Sequence, residues 1–271
     1  ACISRQQRGW EGAFRILGTT VPVFDDLGLP PQLKRLCEFS TGLVLITGPS
    51  GSGKSTTLAA MIDIVNKTRE EHVLTIEDPV EYVFAPIKAQ VNQRQVGLHT
   101  RSFPAAMRAA LREDPDVIMI GEMRDLETIS LAITAAETGH LVFGTLDTTS
   151  APRTIDRILN VFPRDEQDQI RRMISESIKG VICQQLLPRK DGEGQVLAYE
   201  ILFNTNAIAN LIRDNKLHQV EPTMVTSKAQ GMITMDDHLR YLLQNEWIDG
   251  EEAYFAASDK SRFEQFAPSF R

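Results

Sequence analysis

Residues Gly48-Pro49-Ser50-Gly51-Ser52-Gly53-Lys54-Ser55 join an apolar, strand-like run, Leu43 to Thr47, to a helix-like stretch that begins at Gly53. This junction constrains the fold more than any other feature. A glycine-rich strand-to-helix turn of the pattern GxxxxGK[ST] points successive backbone N–H groups and a helix N-terminus at one spot, and so cradles phosphate. The same pattern sends the Lys54 ammonium to the terminal phosphates and gives the Ser55 hydroxyl to Mg²⁺. Thr56 joins the set expected to bind ATP, although Thr56 and Thr57 are also explained as fillers of the first helical turn.

The rest of the chain supplies a setting for that loop. From Leu27 onward helix and strand patterns alternate: a short helix near Gln32 to Phe39, strand Leu43 to Thr47, helix Gly53 to Lys67 and strand Val73 to Ile76. Ser102 caps a helix running toward Arg112; then come strand Val117 to Ile120, helix Leu126 to Thr138 stopped by Gly139, and strand Leu141 to Leu146. Alternation of this kind implies a mostly parallel α/β sheet covered on both faces. Beyond Ser150 the pattern reads as mainly helical: Thr154 to Val161, a long stretch Asp165 to Leu187, and helices near Thr205 to Asp214, Thr234 to Asn245 and Gly250 to Ala257. One strand-like run, Val196 to Phe203, interrupts it, and the turn residues of 189–194 suggest a hairpin or an edge-strand loop before it.

In a parallel sheet the ligand lies beyond the carboxyl ends of the strands. Four segments are therefore expected to converge: the glycine loop, Glu77-Asp78-Pro79, Gly121-Glu122 and Asp147-Thr148-Thr149-Ser150. Hydrolysis of a γ-phosphate needs a metal ion to neutralise charge and a group that positions the attacking water. Glu122 ends an apolar strand in the manner of a Walker B element and is assigned to Mg²⁺ or its water shell. Glu77 is assigned to the water, with Lys54 completing the catalytic set; the two glutamates are interchangeable on sequence grounds, and each is also explicable as a solvated strand-end acid. Asp116, Asp78 and Glu81 read as capping or surface residues.

Bulk properties exclude several classes. The 271 residues carry a net charge of -7, which argues against a sequence-independent grip on nucleic acid. No apolar run approaches the ~20 residues of a membrane helix. Three scattered cysteines, Cys2, Cys37 and Cys183, fit neither a disulfide framework nor a CxxC metal pair and read as buried or incidental thiols. Trp10 and Trp247 read as packing residues. The sequence opens at Ala1 on a strand-like segment, as though an N-terminal portion were missing.

These residues resemble the type IV pilus retraction ATPases, the PilT/PilU family within the secretion ATPase superfamily. The resemblance runs through GLVLITGPSGSGKSTTLAAMID at 42–63, TIEDPVEYVF at 75–84, DPDVIMIGEMRDLETISLAITAAETGHLVFGTL at 114–146, SAPRTIDRILNVFPRDEQDQIRRMISESIKGVICQQLLPR at 150–189 and GMITMDDHL at 231–239. It implies a RecA-like P-loop NTPase core over 26–271 with a helical C-terminal region from about 204. Residues 1–25 then resemble the last strand and linker of a PAS-like N-terminal domain. It further implies a homohexameric motor with ATP and Mg²⁺ bound between protomers, lying at the cytoplasmic face of the inner membrane and driving retraction through an inner-membrane platform protein. Arginines of the N-terminal portion are implied to reach the nucleotide, with Arg5, Arg8 and Arg15 available; a solvated basic patch is the alternative. Arg124 is a candidate contact to nucleotide or a neighbouring protomer, or else a partner of Asp125 or Glu127.

Three departures matter. No CxxC pair of the extension branch is present, which places retraction ahead of extension. Ala209 stands where the family's AIRNLIR element carries arginine. Asp147 stands in a segment, Gly144 to Ala151, where the family reads GTLHTTSA, so a γ-phosphate sensor is inverted in charge. A carboxylate ~6 Å from one phosphate charge would be repelled by about 3 kcal/mol at an effective dielectric of about 20. Slowed hydrolysis is the expected consequence, and an ATP-binding accessory subunit, docked on another pilus ATPase, becomes the second reading. A RecA-like nucleic-acid translocase is the third, although no nucleic acid is expected.

Overall fold

A computed structural model describes residues 2–14 and 20–268. Strands β1 (Cys2–Gln6) and β2 (Gly9–Ala13) form an antiparallel hairpin in which Gln6 faces Gly9. All its residues except Gly9 are exposed, and Trp10 is 75% exposed, so the packing role expected for it is not observed. The connector Ile16-Leu17-Gly18 and Arg15 lie outside the described residues.

A seven-stranded sheet organises the remainder, in the order β5-β4-β6-β7-β3-β8-β9. Strand β3 (Gly42–Thr47) lies inside the sheet between two neighbours, and all six of its residues are buried. A strand covered on both faces needs no polar alternation, and Gly-Leu-Val-Leu-Ile-Thr has none. Helix α1 (Lys54–Thr68) follows the loop, then β4 (His72–Glu77) and β5 (Gln90–Gln95). Helix α2 (Phe103–Ala110) is capped by the Ser102 hydroxyl, which accepts from the Ala105 amide at 3.2 Å, as expected of that serine. Strand β6 (Val117–Ile120), helix α3 (Leu126–Glu137) and strand β7 (Leu141–Leu146) continue the parallel part. Gly139 ends α3 with φ of 115°, a value costly for any residue with a Cβ.

Helices α4 (Ala151–Asn160) and α5 (Gln167–Ser177) follow, and here the structure corrects the sequence reading. The helical stretch expected from Asp165 to Leu187 stops at Ser177, and β8 (Ile178–Pro188) takes over beside β3. Ile178, Val181, Ile182 and Leu186 recur at spacings that suit a helix as well as a strand, so periodicity alone misleads. Gly180 disfavours helix locally. It lies against Leu36, where a Cβ would meet side-chain carbons at 3.0 Å and 3.1 Å.

Strand β9 (Gln195–Phe203) pairs antiparallel with β8 through the expected hairpin. Helices α6 (Asn206–Arg213), α7 (Val220–Thr226), α8 (Met235–Gln244) and α9 (Gly250–Ala256) close the chain. The main core spans both faces of the sheet, and a smaller one joins Leu187, Val196 and Ala198 to Met235, Leu239, Leu242 and Phe263. Helices α8 and α9 are thus anchored to the β8-β9 hairpin, whereas α6 and α7 pack in the main core. Cys37 and Cys183 are buried and Cys2 is exposed. No described helix is long and apolar enough to cross a membrane.

Candidate active site

The phosphate loop hangs from the end of β3 and is closed from both sides. The Gly48 amide donates to the Leu146 carbonyl at 3.2 Å, tying it to β7. On the other side β8 backs it so closely that a Cβ on Gly48 would lie 2.2 Å from the Gln184 carbonyl oxygen. Gly48, Gly51 and Gly53 take φ of 144°, 81° and 88°, positive values that this tight strand-to-helix turn reserves for glycine. The Gln184 amide donates to the Thr57 hydroxyl at 2.8 Å and braces the first turn of α1. Ser52 is 2% exposed, and its buried hydroxyl lacks a hydrogen-bond partner among the described residues.

Lys54 emerges from this loop with its ammonium fully engaged. It donates to the Gly48 carbonyl at 2.6 Å, the Pro49 carbonyl at 3.0 Å and Asp147 Oδ1 at 3.0 Å. The charge that the sequence sets against a phosphate is therefore matched here by a cation. Register explains the meeting, since Thr47 pairs with Leu146 and the residues just beyond the two strand ends are neighbours.

A cleft of about 420 Å³ opens over the loop, lined by residues 50–56, Glu77, Asp78, Pro79, Gly121, Glu122, Arg124 and Asp147. The four strand ends thus converge as expected, with one exception within the last segment. Thr148 and Ser150 turn to α4 instead: the Thr148 and Thr154 hydroxyls lie 2.7 Å apart, and the Ser150 hydroxyl caps the helix by accepting from the Arg153 amide.

The two glutamates occupy different environments. Glu77 is 6% exposed, and its Oε1 accepts from the Thr75 hydroxyl at 2.6 Å and the Gln93 amide at 3.0 Å. Burial raises its proton affinity above that of an ordinary carboxyl, while these bonds and the Glu81 backbone amide oppose the rise. Glu122 is at the mouth of the cleft and paired with Arg124, whose side chain is 77% exposed. Neither partner foreseen for Arg124 is used: Asp125 caps α3 at the Thr128 amide, and Glu127 pairs with Arg108. Arg5 lies over the Trp10 ring of the hairpin.

Sequence reasoning missed several residues. Gln93 and Thr75, which fix Glu77, carry no motif, and Gln93 comes from the polar strand Gln-Val-Asn-Gln-Arg-Gln. Tyr82, whose hydroxyl lies 3.2 Å from that of Thr56, sits within the quoted 75–84 segment. Glu200 on β9 is 3% exposed and joins two helix starts: Oε1 accepts from the Ala151 amide of α4 at 2.7 Å, and Oε2 from the Met235 amide of α8 at 3.2 Å. Burial, helped by Glu221 and Asp236, pushes its carboxyl up to about 7 against the pull of those two amides.

Comparison with known proteins places this geometry. The model of the family described as type II/IV secretion system protein matches residues 24–244. A twitching motility protein of Neisseria gonorrhoeae is 52% identical over 246 residues, 91% of this chain and 66% of its own. The type IV pilus retraction ATPase PilT of Pseudomonas aeruginosa is 52% identical over 248 residues, 92% of this chain and 72% of its own. A crystal structure of the pilus retraction motor PilT with bound ADP superposes with a TM-score of 0.90 at 50% identity, covering 97% of this chain and 75% of that one. The chain therefore spans about two thirds to three quarters of these relatives. With its phosphate loop, its converging strand ends and this likeness over nearly its whole length, the chain belongs to the type II/IV secretion system protein family, in the branch of the pilus retraction ATPases.

Proposed function

We propose that this chain is the ATP-hydrolysing motor domain of a pilus retraction ATPase, working as a homohexamer at the cytoplasmic face of the inner membrane. The observation that carries the reading is the cleft itself, in which the glycine loop, Lys54, Glu77 and Glu122 meet at the strand ends of a sheet like that of the PilT motor. The site suits a nucleotide phosphate on two grounds: the loop glycines hold the positive φ of a phosphate-cradling turn, and the Ser52 hydroxyl is buried without a partner among the described residues. Ser55 and Glu122 offer the hard oxygen donors that Mg²⁺ favours. Bound Mg²⁺ would neutralise charge on the transferred phosphoryl group.

The chain's own residues divide the remaining work. The loop amides of Ser50, Gly51, Gly53, Lys54 and Ser55, with Thr56, orient the phosphates, and Lys54 balances their charge. Glu77, held by Thr75 and Gln93 and made more basic by burial, orients the attacking water and takes up its proton. Arg124, exposed at the rim, is placed to meet a neighbouring protomer. An inner-membrane platform protein is the proposed mechanical partner, and residues 1–25 are proposed as the end of an N-terminal domain preceding the ATPase domain of 26–271.

Phosphate release by the full-length protein tests the reading. Lys54→Ala and Glu122→Ala are each expected to lower the rate by about a hundredfold or more. No phosphate release by the unsubstituted hexamer would defeat it. The Lys54–Asp147 pair favours a second reading, a subunit that binds ATP but turns it over slowly beside a more active motor.

A further inference from the structure

Lys54 has three ammonium protons and no more. The Gly48 carbonyl, the Pro49 carbonyl and Asp147 Oδ1 lie within hydrogen-bond distance of it, which uses all three. A phosphate oxygen that reaches Lys54 must therefore take the place of one of them. The two carbonyls belong to the loop that forms the cradle, and withdrawing either would mean rebuilding it. Asp147 differs in kind: its side chain is 65% exposed, against 13% for Lys54, so water receives the carboxylate when it leaves.

We propose that Asp147 is a built-in competitor of the γ-phosphate, holding the Lys54 ammonium until a triphosphate displaces it. This rests on the nucleotide-binding reading of the same cleft and adds to it a residue that sets preference between nucleotides. A diphosphate reaches Lys54 through its β-phosphate alone and is otherwise held by the loop amides. The third phosphate is the group that projects toward Lys54 and Asp147, and it meets there both an occupied cation and a like charge. Asp147 thus lowers affinity for ATP more than affinity for ADP. It also restrains Lys54 from outside the loop, since Asp147 directly follows Leu146, the last residue of β7 paired with β3.

The test is titration of fluorescent ATP and ADP analogues, with and without Mg²⁺, into the full-length protein, its Asp147→Asn variant and its Asp147→Ala variant. Both substitutions are at an exposed side chain, and Asp147→Asn keeps the shape while removing the charge. Expected is roughly fivefold tighter ATP binding in both variants with ADP affinity held within about twofold. Equal gains for ATP and ADP would overturn competition with the γ-phosphate. Unchanged affinities would overturn any role for the pair. Weaker binding of ATP only when Mg²⁺ is present would make Asp147 a partner of the metal and overturn the proposal too. In all three cases nucleotide binding itself stands, whereas failure of every protein to bind ADP would overturn the nucleotide-binding reading along with it.

Discussion

Glu200 offers a quantitative test of the packing between the sheet and its C-terminal helices. Its carboxyl is moved from an ordinary 4.5 to about 7, with burial as the main cause and Glu221 and Asp236 adding to it. Below pH 4.5 the folded and unfolded chains both carry this proton, and the group does not distinguish them. Between 4.5 and about 7 the unfolded chain releases it while the folded chain keeps it, so stability falls as pH rises. Above that range both are ionised and a constant deficit remains. At ~1.4 kcal/mol per pH unit, the deficit reaches about 3 kcal/mol. Glu200→Gln removes the titration but sets an NH₂ group against the amide of Ala151 or Met235, a loss of about 1–3 kcal/mol at every pH. The unsubstituted protein should therefore be the more stable of the two at pH 5 and lose that advantage by pH 8. Urea unfolding followed by circular dichroism at constant ionic strength, at pH 5, 6, 7 and 8, measures the difference. A difference that stays flat would refute the argument. One that grows toward pH 8 would mean that the two helix N-termini outweigh burial and hold Glu200 ionised.

Two further outcomes follow from the site. Gln93→Leu removes one of the bonds that restrain the rise in Glu77 basicity, so the acid limb of the kcat/KM profile should move to higher pH; an unmoved limb would remove Glu77 as the group whose deprotonation is required. Gly48→Ala places a Cβ 2.2 Å from the Gln184 carbonyl at a φ of 144°, and should lower ADP affinity at least about tenfold and destabilise the fold by about 1–3 kcal/mol, as read by calorimetry and thermal unfolding.

The parts of the site that depend on a backbone pattern were legible in the sequence, and those that depend on pairing between distant strands were not. The glycine spacing of 48–53 between a strand pattern and a helix pattern marks a turn that needs positive φ, and the acids Glu77 and Glu122 announce themselves by ending apolar runs. By contrast, β5 carries six residues with only one apolar side chain, Val91, and exists because its backbone pairs with β4 from His72 to Glu77. No hydrophobic period marks it, and so Gln93 could not be placed beside Glu77. Strand β8 was hidden by ambiguous spacing, and with it went the wall behind Gly48. Asp147 was legible as an inversion of charge, but its counter-charge was not: only the register of Thr47 against Leu146 brings Lys54 within reach. Glu200 lies inside a strand with no motif about it, and its role is set by where two helices happen to begin.

The position of β3 also has a consequence in time. Its two neighbours in the sheet come from 141–146 and 178–188, far downstream of the strand at 42–47. During synthesis the phosphate loop leaves the ribosome early, yet one of its walls arrives with Leu146 and the other with Gln184. Pairings so distant in sequence form late. A nascent chain halted before residue 178 would carry the complete motif without the β8 wall behind Gly48, so full nucleotide affinity can serve as a sign that the chain has been made past β8.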